Sequence, residues 1–412
     1  MTLPLPAVPR SGVVALAIAF AVFVAWRVLV AGVGAIAERG FPAGALNAGP
    51  AHVASNTESS LRARLAKNPG DALALLLLAL ELERRGNRDE AGAAMRTAAR
   101  LAPADPQALL LIAGYFLRTG DEDAALSTLR RALDSAPAEV STKIWPVFTA
   151  ALVSGRHQQY FDAMARENAP WWAEFFRHAC ARAVPTNAVQ TVFAVRVTAG
   201  LATVDERQCL VDRLQRNGQW TNAYVLWLNG LPPEQRRRVG YVFNGDFEAP
   251  LSNSGFDWRT PSQESAIVSV DPGDGVTGKR GLNVAFTSQR YGGPPVQQTL
   301  LLEPGTYQLE GKAKSGLEAW LGMQWGVYCL DTLGRATRQL LRSDPFTGTT
   351  RWREFRHPFA VPADCPAQLL RLELASPKQG AAGPTDVAIR LKGKLWFDDI
   401  RVRIVDERGP RR

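Results

Sequence analysis

The sequence predicts a helical solenoid followed by an antiparallel β-sandwich, behind an N-terminal membrane helix. A 34-residue period runs through the first half of the chain, and after residue 243 short apolar runs alternate with Gly, Pro, Asp and Asn. Near the N-terminus lies a long, almost uniformly apolar segment. We therefore expect an N-terminal tip and anchor (1–37), a tether (38–56), a solenoid (57–237) and a sandwich (241–406).

The apolar segment, residues 12–37, contains one charged residue, Arg27. At about 1.5 Å per residue it is long enough to span the roughly 30 Å of bilayer hydrocarbon. Arg10 precedes the segment, and Glu38 offsets Arg39 after it, so the positive-inside bias favours a cytoplasmic N-terminus. This predicts a single-pass inner-membrane protein with its C-terminal bulk in the periplasm.

A cleaved signal peptide is the alternative, because Ala35-Ile36-Ala37 has the small-x-small form of a cleavage site. A buried soluble helix is a third interpretation. With either an anchor or a signal, the bulk of the chain is exported. In an oxidising compartment the four cysteines predict one disulfide in each part, Cys180 with Cys209 and Cys329 with Cys365.

The 34-residue period connects Pro69, Pro103 and Pro137, and it repeats small residues where paired helices would cross. The matching pairs are Gly86/Gly120, Asp71/Asp105, Ala79/Ala113, Ala91/Ala125 and Ala98/Ala132. This pattern is typical of tetratricopeptide repeats. It is clean over residues 72–137, so further helix pairs must come from 138–235, where Trp145-Pro146 is expected to interrupt the first helix of the third unit.

Stacked helix pairs present a groove lined by the first helix of each pair. At the matching positions the chain has Leu73, Leu76, Leu80, Gln107, Leu110 and Arg118. We therefore expect the groove to hold an apolar helix or an extended segment of a protein partner. The alternative is that the groove is filled by the chain's own segment 171–176, WWAEFF, or by later helices.

Eight runs in the C-terminal part have the length and composition of strands. They are 266–270, 281–286, 295–302, 306–314, 324–330, 353–361, 368–375 and 394–405. Turn residues separate them and no helical period is present, which predicts an antiparallel sandwich or jelly roll.

Several short sequence signatures occur in a characteristic order. They are Asn244–Glu248, Trp258, Thr277–Lys279, Pro304–Tyr307, Trp352 and Phe397–Ile400. In order and spacing they resemble the jelly-roll carbohydrate-binding modules with a galactose-binding-like fold. The resemblance implies a structural Ca²⁺ between the first and last strands, held here by Glu248 and Asp398 with carbonyl groups near Lys279. The alternative is that these carboxylates only cap turns, since Ca²⁺ takes about 6 to 8 oxygen ligands.

The resemblance also implies glycan binding by aromatic rings that stack on sugars. The candidate rings are Trp258, Tyr291, Trp320 and Trp325, with Tyr328 also available. Trp325 shares a strand face with Val327 and Cys329, which favours the core, and no run of aromatics marks one binding face.

Catalytic motifs are absent from the sequence. None of the four histidines has a Ser, Cys or Asp partner at a known motif spacing, and there is no Walker loop or Rossmann fingerprint. A carboxylate pair drawn from Glu264, Glu310 and Asp331 is the enzyme alternative. The net charge of +9 is scattered, which argues against nucleic acid.

These observations lead us to expect a non-catalytic, membrane-anchored periplasmic scaffold. Its role would be in the assembly or export of a surface polysaccharide. The alternative is a protein scaffold that binds no sugar.

Overall fold

The computed structural model describes residues 57–101, 105–135, 137–182, 185–274, 277–375 and 389–405. The chain divides into two compact units, Met1–Leu201 and Ala202–Arg412. As predicted, the N-terminal part is helical and the C-terminal part is an antiparallel β-sandwich. The predicted anchor and tether lie outside the described residues, and none of the helices within those ranges has the length and apolar character to cross a bilayer.

The described part of the first unit consists of α-helices joined by short connections. They are α1 (Glu58–Lys67), α2 (Ala72–Arg84), α3 (Arg88–Leu101), α4 (Pro106–Thr119), α5 (Glu122–Leu133), α6 (Ala138–Ser154), α7 (Gln158–Ala165), α8 (Trp172–Arg182) and α9 (Asn187–Thr198). Helices α2 and α4 begin at 72 and 106, and α3 and α5 begin at 88 and 122, so both repeat at the predicted 34 residues.

The repeated residues perform the roles that their spacing implies. Asp71 and Asp105 are the N-caps of α2 and α4, and their carboxylates accept hydrogen bonds from backbone N–H groups of the first turn. Gly120 ends α4 in the left-handed conformation that glycine adopts without strain. The paired alanines, among them Ala79 and Ala113, are fully buried where neighbouring helices pack.

Pro146 does not interrupt its helix, so this detail of the sequence interpretation is wrong. Helix α6 continues from 138 to 154 with the proline inside it. The rings of Trp145 and Phe148 pack against Trp171 and Phe175 at centroid distances between 5.7 and 6.2 Å. Burial of these aromatics offsets the helical hydrogen bond that proline removes.

The second unit begins with helices α10 (Val204–Arg216), α11 (Trp220–Gly230) and α12 (Pro233–Arg236). The strands follow: β1 (Ala266–Pro272), β2 (Arg280–Arg290), β3 (Val296–Leu300), β4 (Gly305–Glu318), β5 (Met323–Leu330), β6 (Ala336–Arg342), β7 (Gly348–Val361), β8 (Ala367–Leu374) and β9 (Arg390–Ile404). They form a five-stranded sheet in the order β1-β2-β9-β4-β7 and a four-stranded sheet in the order β3-β8-β5-β6.

All eight predicted runs form strands, and β6 is an additional one. Strand β4 alternates buried and half-buried residues along almost its whole length, which matches its sequence alternation. Strand β6 was missed because it is an edge strand in which only Leu341 is buried, so its residues ATRQLLR carry no apolar alternation.

Helices α10 and α11 form a hairpin that packs on the sandwich. The Trp220 side chain packs against Leu330 and Ala367 on the outer side of the four-stranded sheet. Arg259 donates to Asp212 of α10 at 2.5 Å, fixing the hairpin beside β3. The second unit therefore includes helices α10 to α12, which the sequence interpretation assigned to the solenoid (57–237).

The predicted disulfide of the β part is present: Cys329 of β5 is bonded to Cys365 in the turn before β8. The other predicted disulfide is not formed. Cys180 is buried in α8, whereas Cys209 is half-buried in α10, and the two helices belong to different compact units.

Candidate functional site

One polar surface occupies the outer side of the four-stranded sheet. In β5, Trp325 and Val327 face the core, so Gln324, Gly326 and Tyr328 face outward. The antiparallel register places Gln324 opposite Glu373, Gly326 opposite Arg371 and Tyr328 opposite Gln339 of β6. These six residues are called the polar face below: Gln324, Gly326, Tyr328, Gln339, Arg371 and Glu373.

A hydrogen-bond network holds the polar face together. The Tyr328 hydroxyl donates to Oε1 of Glu373 at 2.5 Å and accepts from Nε2 of Gln339 at 2.7 Å. Arg371 donates from Nε to Oε2 of Glu373 at 2.7 Å, and its guanidinium carbon lies 4.1 Å from the centroid of the Tyr328 ring. The side chains of Tyr328, Gln339, Arg371 and Glu373 are thereby each fixed by at least one neighbour, so this part of the face is preorganised.

Burial raises the pKa of the Tyr328 phenol, and the hydrogen bond to Glu373 raises it further. The phenol therefore keeps its proton at physiological pH and acts as the donor to the Glu373 carboxylate. That hydrogen bond is charge-assisted, which makes it stronger than a neutral one.

Gly326 makes this arrangement possible. A Cβ atom at this position would lie 2.7 Å from Oε1 of Glu373 and 2.7 Å from Cε2 of Tyr328. Such distances are not tolerated, so a larger residue would separate the carboxylate from the phenol. The glycine thus allows two large polar side chains from neighbouring strands to meet.

Two buried polar atoms at the Glu373 end of the face make no hydrogen bond within the described part of the chain: Nε2 of Gln324 and the hydroxyl of Tyr291. The Leu374 backbone is near the Tyr291 hydroxyl without forming a hydrogen bond of good geometry, and burial raises the pKa of this phenol to about 12. An unpaired buried donor costs about 1 to 3 kcal/mol. Both atoms have almost no accessible surface, so a partner could reach them only if neighbouring side chains moved.

Two of the four predicted stacking residues are core residues, so their assignment to a binding surface is wrong. Trp258 and Trp325 have no exposed surface, and their rings pack together at 5.7 Å in the centre of the sandwich. Tyr291 is half-buried at the edge of the core. Trp320 is 64% exposed in the turn that leads into β5, so it alone keeps an open ring face.

The polar face was missed in the sequence, although a signal for it was present. Arg371 and Glu373 occupy alternate positions in the otherwise apolar run LLRLELA, residues 369–375. Charged residues on one side of a strand, opposite a side of Leu residues, indicate a polar surface above the core. The pairing with Tyr328 and Gln339 depends on strand register, which the sequence did not give.

The predicted calcium ligands both hold the loop at 277–280. Oε1 of Glu248 accepts from the backbone N–H groups of Lys279 and Arg280 at 2.7 and 3.0 Å. Asp398 is fully buried and accepts from the N–H of Thr277 at 2.8 Å. The backbone N–H groups of Arg280 and Lys279 lower the pKa of Glu248, so its carboxylate stays charged.

These contacts fit a carboxylate clamp better than a calcium site. The carboxylate oxygens accept from N–H donors, and the described residues include no group of three or more His, Cys, Asp or Glu side chains suited to a metal. With only two carboxylates, most of the oxygen ligands of a calcium ion would have to come from carbonyl groups and water. Calcium here therefore stays a prediction.

Chelation tests the calcium prediction. A bound ion at about 100 times its dissociation constant should add about 2.7 kcal/mol to the stability of the second unit. A chelator should then lower the melting temperature of wild type, and Glu248→Ala should remove the response to calcium. Identical melting curves in calcium and in chelator would show that the carboxylates act only as a clamp.

The carboxylates of the enzyme alternative are not brought together. Glu310 of β4 forms an ion pair with Arg403 in the five-stranded sheet. Asp331 follows β5 of the other sheet, where it accepts from backbone N–H groups of the turn to β6. Glu264 is an exposed residue before β1. None of these residues belongs to the polar face.

The predicted partner groove of the first unit is only partly open. Leu76 and Leu110 are buried, so their assignment to an open groove is wrong. Leu110 belongs to a stretch of α4 that is buried at every residue from Ala108 to Phe116, and Leu76 is among the buried residues of α2. Leu73, Leu80 and Gln107 are half-buried, and Arg118 forms a two-pronged ion pair with Glu83.

Comparisons with known proteins gave structural neighbours only. No protein-family model matches the chain, and no curated protein matches it. A CBM22 xylan-binding domain of Paenibacillus barcinonensis Xyn10C aligns with a TM-score of 0.28 and 16% identity, covering 39% of this chain and 92% of that domain. A CBM4 module aligns with a TM-score of 0.28 and 16% identity, covering 40% of this chain and 99% of the module.

The C-terminal family 22 carbohydrate-binding module of Clostridium thermocellum Xyn10B also aligns with a TM-score of 0.28, at 15% identity. It covers 40% of this chain, and 96% of the module is matched. These neighbours are carbohydrate-binding modules.

Proposed function

We propose that the protein is a non-catalytic binding protein whose sandwich holds a glycan on the polar face. The observation that carries the proposal is the fixed network of Tyr328, Glu373, Arg371 and Gln339. Sugar hydroxyls both donate and accept hydrogen bonds, so a surface that offers a carboxylate, a guanidinium and an amide in fixed positions suits them.

The neighbouring side chains add to this chemistry. Gln324, which is opposite Glu373 in the register, adds an amide to the same side of the sheet. Trp320, exposed in the turn before β5, offers a ring face for stacking on a pyranose. A glycan would thus be held by hydrogen bonds on the sheet and by stacking at its end.

In the cell we propose an inner-membrane, periplasm-facing scaffold for the assembly or export of a surface polysaccharide. The apolar segment 12–37 would be the anchor, and the helical unit would hold a protein partner. The disulfide between Cys329 and Cys365 supports an exported location, because such bonds persist in oxidising compartments. Protease accessibility in spheroplasts tests the location: the bulk of the chain should be degraded from outside.

Glycan binding is tested with the full-length protein on an array of neutral and acidic oligosaccharides that includes xylohexaose. Hits are then measured by calorimetry for wild type, Tyr328→Phe and Glu373→Gln. Hydrogen bonds to charged groups contribute about 1.5 to 3 kcal/mol, so each variant should bind about 10- to 100-fold more weakly.

Glu354→Gln is the matched control, because Glu354 is exposed on β7 of the other sheet and forms an ion pair with Arg356, far from the polar face in the sheet order. It should bind as wild type does. Melting temperatures of all variants establish that binding is lost without unfolding. If no glycan binds, the protein is a scaffold that acts through protein contacts alone. If Glu373→Gln binds as tightly as the control, the glycan is held at a place other than the polar face.

A further inference from the structure

A cavity of about 340 Å³ lies beside β3 in the second unit. Ten residues line it, half of them aromatic: Tyr224, Trp227, Val239, Gly240, Tyr241, Phe243, Phe256, Thr299, Leu300 and Leu301. Its volume falls at the lower end of the range of about 300 to 1,000 Å³ for ligand sites. None of these residues belongs to the polar face.

The rings form one continuous wall. Trp227 packs edge to face on Phe243 at 5.0 Å, and Tyr224 packs edge to face on Phe256 at 5.1 Å. Tyr241, 43% exposed, lies at the opening. An occupant therefore meets apolar ring surface on the inside and solvent at the mouth.

The floor of the cavity is a free strand edge. Strand β3 pairs with β8 on one side. On the other side, among the residues that the structure describes, only Gln297 is paired, with Arg259, through N–H···O bonds of 2.7 and 2.9 Å. Peptide groups of every second residue point to the same side of a strand, so those of Thr299 and Leu301 point to this open side. They have no hydrogen-bond partner within the described ranges.

An extended peptide satisfies both features together. Its backbone would pair with the open groups of Thr299 and Leu301, beyond the single bridge between Arg259 and Gln297, and an alternate side chain would enter the aromatic cavity. The free stretch comprises only Thr299 and Leu301, and Leu301 packs against Trp220 at its far end. Two folded copies of the chain could not pair edge to edge over so short a stretch, whereas a flexible segment could.

We infer that a short extended segment of a partner protein adds to the edge of β3 and places a bulky apolar side chain in the aromatic cavity. This inference does not depend on glycan binding. It gives the second unit a protein partner of its own, in addition to the partner proposed for the helical unit.

The test uses the full-length protein and labelled, capped hexapeptides in which Phe, Leu or Val alternates with Thr. A matched pool carries N-methyl groups on alternate peptide nitrogens, so it cannot complete the pairing. Fluorescence anisotropy should show binding of the first pool and binding weaker by about tenfold or more for the methylated pool, because a main-chain hydrogen bond is lost.

Thr299→Pro removes the N–H on the open side only, and proline is tolerated on edge strands in that orientation. It should weaken peptide binding about tenfold, whereas Thr299→Ser, which keeps the N–H, should not. If Thr299→Pro melts at a lower temperature than wild type, Tyr241→Ser is tested in its place. Tyr241→Ser alters the mouth of the cavity and leaves β3 intact.

Equal binding of both peptide pools, or no binding of either, overturns the inference. The glycan array separates it from the proposed function. We expect Thr299→Pro to retain the glycan binding of wild type, and loss of glycan binding in this variant would assign the cavity to the glycan site instead.

Discussion

Trp258→Ala should unfold the sandwich at moderate denaturant instead of removing a binding surface. The Trp258 ring has no exposed surface and packs against Phe247 at 5.5 Å and Trp325 at 5.7 Å, while its Nε1 donates to the Asn244 carbonyl at 3.1 Å. Truncation of a buried Trp to Ala typically costs about 3 to 5 kcal/mol. Urea unfolding followed by circular dichroism of the β signal measures the loss.

Trp320→Ala is the matched control, because the same side chain is removed from a position that is 64% exposed. Its stability should stay within about 0.5 kcal/mol of wild type. If the two variants unfold at the same urea concentration, the packing described for Trp258 is wrong. Under the proposed function, Trp320→Ala should weaken glycan binding while the fold is retained.

Loss of the disulfide between Cys329 and Cys365 should cost the second unit about 3 to 5 kcal/mol. The two cysteines are 36 residues apart, and closing a loop of this length removes a corresponding entropy from the unfolded chain. Reductant should therefore lower the melting temperature of the β transition, whereas the helical transition of the first unit should not move.

The double variant Cys329→Ala, Cys365→Ala provides the check. It should melt where the reduced wild type melts, and reductant should have no further effect on it. An unchanged β transition in reduced wild type would mean that the bond does not constrain the unfolded chain.

Local patterns in the sequence gave most of the fold. The 34-residue period gave the pairs α2/α3 and α4/α5, because it is set by helix length and by small residues at the crossings. Eight strands followed from turn residues and apolar runs. Strand β6 could not be predicted because it is an edge strand without an apolar alternation. The continuity of α6 through Pro146 could not be predicted because it depends on packing against aromatic residues of α8.

The site was less predictable because it depends on contacts between distant residues. Trp258 lies among turn residues and was expected at the surface, yet it is buried by Trp325, far along the chain. The polar face needs Tyr328 of β5 and Glu373 of β8 to be neighbours, and Gly326 to leave room between them. The residues of the polar face can be read from the sequence, but only the strand register shows that they are neighbours.

The start of the second unit also depended on packing. Helices α10 and α11 have the composition of the helical part, and the sequence placed them there. In the structure Trp220 packs on the outer side of the four-stranded sheet. Gly218, between the two helices, allows close approach, since a Cβ there would lie 2.5 Å from the Thr332 carbonyl oxygen.

This packing fixes an order of events during synthesis. The ribosome makes the α10–α11 hairpin before any strand, and Ala367, on which Trp220 packs, is added 147 residues later. At roughly 5 to 20 residues per second, the hairpin waits about 7 to 30 seconds for its partner. During that interval its tryptophans are exposed, so the hairpin is the segment of the nascent chain where a chaperone would be needed first.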